Sequence, residues 1–132
     1  MSRAYGVTMS SWSVDELDLL SAAHELEIAV RRGNGERRSF TPIWVVCVGA
    51  NVYVRSWHRR DTGWFGDAVR TGRAAIRVPG LEADVTVEDI GRATNELTAR
   101  VDAAYRTKYG EGGAASMVTS AAADTTLRLN RE

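Results

Sequence analysis

This chain of 132 residues has one cysteine, two histidines, two prolines and a single lysine, and its formal charge is zero. Each scarcity excludes something. The lone Cys47 cannot build an intramolecular disulfide framework and fits a reducing compartment. His24 and His58 have no partner at ligand spacing, so the sequence offers no metal site. Seventeen basic side chains balance seventeen acidic ones, so bulk charge argues for neither nucleic acid nor an acidic membrane surface. No apolar run approaches the length of a membrane span, and the opening MSRAYGVTMSSW lacks the apolar core of a signal peptide. A soluble, cytoplasmic protein without nucleic-acid or membrane partners is therefore expected. There is also no Gly-x-Ser-x-Gly, no phosphate-cradling glycine loop and no paired histidine, which removes support for a hydrolase or a nucleotide-cleaving enzyme.

What is present alternates between helix and strand signals. The length suits one domain spanning 1–132 with an ordinary core, its first eleven residues flexible. Ser13 and Glu16 form a capping box for a helix from Val14, and Trp12 is placed to pack on Leu17. Glu25 to Arg32 alternates as a half-buried strand, and Gly33-Asn34-Gly35 supplies a tight hairpin turn. A second strand runs from about Arg38 to Val48. Pro42 marks an edge or bulge within it, and Ile43 to Val48 is apolar on both faces. A third strand, Val52 to Trp57, pairs antiparallel with the second through Gly49-Ala50-Asn51. Asp61 or Thr62 caps a short helix that ends at Gly72. Strands at Ala74–Val78 and Ala83–Val87 follow, joined through Pro79-Gly80. Thr86 and Asp89 offer a capping box for the longest helix, whose apolar stripe runs Ile90, Ala93, Leu97, Val101, Ala104, Tyr105, Tyr109 up to Gly110. Residues 111–123, rich in Gly, Ala and Ser, read as a mobile loop or lid, and Thr125–Asn130 as a last strand. Six mostly antiparallel strands with helices against them predict a small barrel or curled sheet, with an open α+β sheet of the cone type as the competing layout.

Three features carry candidate chemistry. Alternation on the third strand places Tyr53, Arg55 and Trp57 on one face and Val52, Val54 and Ser56 on the other. An arginine between aromatics suits a planar anion, and equally a solvent-facing ladder in which rings cover the arginine stem. His58-Arg59-Arg60 then leads into the helix start Thr62-Gly63-Trp64, where free amides and a positive dipole end suit a phosphate, although such charge runs also occur as solvated loops. On the long helix, Asp102 and Arg106 have the spacing of a surface i,i+4 pair. Cys47, in an apolar strand, reads as a core thiol, and Asp15, Glu16 and Asp18 as complements to the first helix dipole.

The phrases Thr41-Pro42-Ile43-Trp44-Val45-Val46, Tyr53-Val54-Arg55-Ser56, Asp102 through Gly110 and Thr125-Thr126-Leu127-Arg128-Leu129 together resemble the domain-of-unknown-function 2255 family, from about Trp12 to Leu129. At greater distance, Thr41 to Val78 resembles the split-barrel superfamily, pyridoxamine-phosphate-oxidase-like, that binds flavin mononucleotide or the deazaflavin coenzyme. That resemblance implies a mainly β protein, a six-stranded antiparallel split β-barrel with flanking α-helices. It also implies a homodimer with the cofactor in a groove between subunits. Carried over residue by residue, the strand holding the isoalloxazine edge corresponds to Thr41, Ile43 and Trp44 through Val45. The aromatic-Thr/Ser pair beside the cofactor corresponds to Arg55-Ser56, with Trp57 next to it. Where those relatives open the next helix with Ser-Arg-Lys, this chain has Thr62-Gly63-Trp64, similar to the deazaflavin branch in its tryptophan. The phosphate would then fall to Arg55, Arg59 or Arg60.

Such a cofactor carries hydride or electron transfer itself, which accounts for the missing catalytic Ser, Cys or His; Tyr105 or Tyr109 is a proton donor by residue type. The reading is a flavin- or deazaflavin-binding oxidoreductase acting on a small molecule. The alternatives are a non-catalytic binding module for a planar anionic ligand, a cofactor or haem, and a dimeric scaffold without ligand.

Overall fold

A computed structural model describes residues 11–30, 36, 39–56, 63–91 and 94–132. Helix α1 (Val14–Ala22) starts where the capping box places it. Glu16 N–H donates to Ser13 Oγ (3.1 Å) and Ser13 N–H donates to the Glu16 carboxylate (2.9 Å), which satisfies two helix-end donors reciprocally. Among the described residues seven strands follow as β1 (Leu26–Ala29), β2 (Thr41–Ile43), β3 (Val45–Val48), β4 (Asn51–Val54), β5 (Arg73–Val78), β6 (Leu81–Asp89) and β7 (Leu127–Arg131). Helix α2 (Gly63–Thr71) lies between β4 and β5. Helices α3 (Asn95–Tyr109), α4 (Glu111–Ala114) and α5 (Ser120–Ala123), with a 3-10 turn at Ala115–Met117, lie between β6 and β7.

All strand pairs are antiparallel, in the order β2-β1-β5-β6-β7-β4-β3. The two ends of that order, β2 and β3, are consecutive in the chain and separated by Trp44 alone. The sheet therefore curls until its edges meet at one residue, and the result is a split barrel with flanking helices. The run read as one strand from Arg38 to Val48 is two strands on opposite edges, which is why seven stand where six were expected. Pro42 sits in the edge strand β2, where its missing donor costs no ladder bond on the outer side. The expectation that this run is buried from both sides holds at the join. Val45 packs in the barrel core with Leu26, Ile28, Phe65, Val85 and Leu129, while Val46 packs outside it with Tyr53, Val101, Tyr105 and Met117 beneath α3.

Two expectations fail in instructive ways. Thr86 and Asp89 do not cap the long helix, because both lie in β6. The cap is Thr94, whose hydroxyl accepts from Leu97 N–H at 3.1 Å. Its third helical residue is Leu97, not a carboxylate, so it lacks the reciprocal half that makes a capping box readable. Residues 111–123 form short helices rather than a loop, with Ala114, Met117, Ala122 and Ala123 buried. The expected hairpin at Gly33-Asn34-Gly35, the Asp61 or Thr62 cap and the first ten residues lie outside the described residues. No helix among the described residues is long and apolar enough to cross a membrane.

Candidate functional site

The seam at Trp44 leaves strand-end backbone groups without ladder partners, and the last turn of α3 meets them. Val45 N–H donates to Tyr109 Oη at 3.2 Å, and Tyr109 Oη in turn donates to the His24 carbonyl at 2.7 Å. Lys108 Nζ donates to the Val45 carbonyl at 2.7 Å and to the Leu20 carbonyl at 3.3 Å. The Trp44 and Tyr109 rings stack with centroids 4.0 Å apart and planes 3° from parallel. Burial pushes the Tyr109 phenol up to about 12 and lowers the Lys108 ammonium. At neutral pH Tyr109 is a neutral hydroxyl engaged in holding the seam.

Beyond β4 the chain continues through Arg55 and Ser56, both buried. The Thr125-Thr126 pair just ahead of β7 holds them in place. Ser56 N–H donates to Thr125 Oγ1 at 2.8 Å, and Arg55 Nε donates to Thr126 Oγ1 at 2.9 Å. Arg55 Nη1 donates to Asp102 Oδ1 at 2.5 Å and to the Met117 carbonyl at 2.8 Å. The Arg55 side chain is 0% exposed and that of Asp102 19%, so this is a buried ion pair between the segment just after β4 and α3. Asp102 therefore turns inward, and the expected surface pair with Arg106 gives way to a contact of Arg106 with Glu111 at 3.6 Å. Burial raises the phenol of Tyr105, against the opposing pull of the Arg55 cation 5.6 Å from its ring. Two buried side-chain atoms, Arg55 Nη2 and Tyr105 Oη, have no hydrogen-bond partner among the described residues.

Beside these groups opens a cleft of about 430 Å³. It is lined by Thr41, Pro42, Ile43 and Trp44 of β2 and the seam, by Arg55 and Ser56 beyond β4, and by Trp64 of α2. Ser116, Met117 and Glu25 complete its rim. A second hollow of about 320 Å³ lies against Arg73, Asp84 and Glu132, but there Arg73 is already paired with Glu132 at 2.6 Å.

Of the residues expected from the sequence, Thr41, Ile43, Trp44, Arg55, Ser56 and Trp64 all border this one cleft. Trp57, Arg59, Arg60 and Thr62 lie outside the described residues. The face assignment on β4 holds for Tyr53 and Arg55, which both turn toward α3; neither is a solvent-facing ladder residue. Cys47 is half-buried, with its thiol pushed up by burial, as a core thiol should be. Sequence reasoning did not anticipate the partners of Arg55, namely Asp102, Thr126 and the Met117 carbonyl, or the seam contacts of Lys108 and Tyr109. The available signal was the helical spacing of Asp102, Tyr105 and Tyr109, which puts one acid on the stripe that faces the sheet.

Solved structures share this fold at identities that speak to fold alone. HutZ, the haem storage protein of Vibrio cholerae, is 14% identical with a TM-score of 0.67, over 87% of this chain and 86% of that one. An FAD-binding protein of Mesorhizobium loti is 15% identical with a TM-score of 0.61, over 92% and 91% of the two chains. An F420 reductase is 14% identical with a TM-score of 0.52, over 87% and 91%. These likenesses bear out the split-barrel fold. No curated protein matches the sequence at a significant level. The family of uncharacterised proteins conserved in bacteria termed DUF2255 matches residues 16–129, and the chain belongs to it.

Proposed function

We propose that the cleft binds a flat ring cofactor of the flavin or deazaflavin class and that the chain is an oxidoreductase acting on a small molecule. The observation that carries this reading is a coincidence of three features in one cleft. Trp44 and Trp64 line it, the edge strand β2 borders it, and Arg55 beside it keeps a buried donor nitrogen without a partner among the described residues. Its volume, about 430 Å³, suits a ring system and falls within the roughly 300–1,000 Å³ usual for ligand pockets. The names of two fold neighbours, an FAD-binding protein and an F420 reductase, lend further support.

When bound, such a cofactor supplies hydride or electron transfer. This chain's residues bind and orient. The tryptophans offer apolar ring surface and exclude water from the cleft. Among the described residues β2 pairs only with β1; the register turns the backbone groups of Thr41 and Ile43 toward β1 and leaves the Pro42 carbonyl on the outer side as an acceptor for a ring edge. Arg59, Arg60 and Thr62 would carry the phosphate. Tyr109 directs its hydroxyl to His24, so its part is to hold Trp44 rather than to donate a proton to substrate. A homodimer with the cleft at its interface and a cytoplasmic location belong to the same proposal.

The test is the absorbance spectrum of freshly purified protein, followed by titration with flavin mononucleotide and with the deazaflavin coenzyme. Quenching of cofactor fluorescence and a thermal shift are expected with at least one. No response to either refutes the reading, and a haem spectrum moves the assignment to a non-catalytic binding module.

A further inference from the structure

The charge of Arg55 is already answered inside the protein. Its planar guanidinium is fixed by Thr126 on Nε and by Asp102 and the Met117 carbonyl on Nη1, at 2.9, 2.5 and 2.8 Å. A planar group held at those points has little freedom left, so the direction of its remaining nitrogen, Nη2, is set. We propose, resting on the cofactor reading above, that Nη2 donates to a neutral carbonyl oxygen on the edge of the bound ring. In this proposal Asp102 is the positioning residue that fits Arg55 for a neutral acceptor rather than for phosphate.

Three observations carry it. First, Arg55 borders the cleft while Nη2 is buried and without a partner among the described residues. A buried donor left unsatisfied is costly, and a ligand oxygen that accepts from it removes that cost. Second, Asp102 stands at 2.5 Å from Nη1, so guanidinium and carboxylate together carry no net charge. A phosphate dianion at Nη2 would gain one cation and meet the Asp102 anion close behind it. A neutral carbonyl gains a charge-assisted hydrogen bond without that repulsion. Third, Tyr105, whose ring centre lies 5.6 Å from the Arg55 guanidinium carbon, is kept neutral by burial, so it brings no second anion to answer Nη2. The class is a flat heteroaromatic ring with edge carbonyls, of which a flavin-type pyrimidinedione is one.

The experiment compares lumiflavin, which is the ring without phosphate, with flavin mononucleotide, following fluorescence on binding to the full chain. Arg55→Lys is expected to weaken both by the same factor, roughly tenfold or more. The paired variant Arg55→Met with Asp102→Leu removes both charges together, keeps the interior electrically balanced, and should show the same equal loss. Asp102→Asn frees the guanidinium charge and should raise the preference for flavin mononucleotide over lumiflavin several-fold, a selectivity change that a merely structural residue would not produce. Losses confined to flavin mononucleotide in the Arg55 variants, or an unchanged preference in folded Asp102→Asn, overturn this inference and leave the cofactor reading standing. Binding of neither flavin, nor of the deazaflavin coenzyme, to the unaltered chain overturns both.

Discussion

Removing Asp102 isolates the energetic role of the buried pair. In Asp102→Ala the Arg55 side chain, 0% exposed, loses its counter-charge while Thr126 and the Met117 carbonyl remain in place. Deleting one partner of a buried pair costs about 3–5 kcal/mol, because the surviving charge is left desolvated. Asp102 retains 19% side-chain exposure, which allows water to reach the vacated site and places the cost near the lower bound, about 3 kcal/mol. For a chain of this size each kcal/mol moves the melting temperature by about 3–5 °C, so a drop of about 9–15 °C is expected. An internal control is available in Glu88, which accepts from Arg128 through two bonds of 3.0 Å but is 49% exposed. Glu88→Gln should cost about 0.5 kcal/mol, a shift of about 1–3 °C. Circular-dichroism melts of both variants provide the comparison. Equal shifts would refute the distinction between a buried and a surface pair in this fold. So would failure of the paired Arg55→Met, Asp102→Leu variant to recover most of the loss, since two apolar side chains need no counter-charge.

Four further outcomes follow from named contacts. Trp44→Ala removes the stack on Tyr109 at the seam and should cost about 2–3 kcal/mol, read as a lower urea midpoint at unchanged slope; a cost near zero would show that the seam is held by backbone contacts alone. Thr125→Val breaks the bond from Ser56 N–H and should cost about 1–3 kcal/mol by the same assay, and a neutral result would mean that Ser56 finds another acceptor. Tyr109 titrates at about 12 in the fold against an ordinary 10, so the folded chain holds the proton longer than the unfolded one; its contribution is complete below pH 10 and is lost as pH climbs toward 12, and melting temperatures in that window should fall less steeply in Tyr109→Phe. Because burial raises the Cys47 thiol, its labelling by a disulfide reagent at neutral pH should be slow in the folded chain and fast in urea, and equal rates would contradict its packing against the barrel core.

The legible parts of this fold were those whose signal is local. Ser13 and Glu16 are three residues apart and declare a helix start by themselves; Gly72 and Gly110 end helices with positive φ, as a residue just past a C-terminus should. Alternation on β4 put Tyr53 and Arg55 on one face before any partner was known. What stayed hidden depends on distant chain. Arg55 meets Asp102 and Thr126 across separations of 47 and 71 residues, and no pattern within a strand distinguishes an arginine facing water from one facing a buried carboxylate. Residues 111–123 lack apolar periodicity because, apart from Met117, their buried anchors are alanines, which bury without announcing themselves. The Thr86-Asp89 box was a correct motif in the wrong place. Spacing alone cannot tell a cap from two outward residues of a strand.

The seam explains why a fold problem and the proposed binding site coincide. A sheet that curls until consecutive strands sit on opposite edges must cross from one edge to the other, and here it does so at Trp44 alone. At that crossing the ladder is interrupted, so backbone groups need other partners. On the β3 side they are supplied from α3, by Tyr109 to Val45 N–H and by Lys108 to the Val45 carbonyl. On the β2 side the described residues supply none along the outer edge, and that is where the cleft opens. Arg55 repeats the asymmetry at the scale of a side chain, with its Nε and Nη1 bound within the protein and its Nη2 without a partner among the described residues. Polar capacity that the described residues leave unused thus borders one cleft, which Trp44 and Trp64 also line. A ligand whose flat faces fit the rings and whose edge carries both donors and acceptors would complete the hydrogen bonding that closing the barrel interrupts.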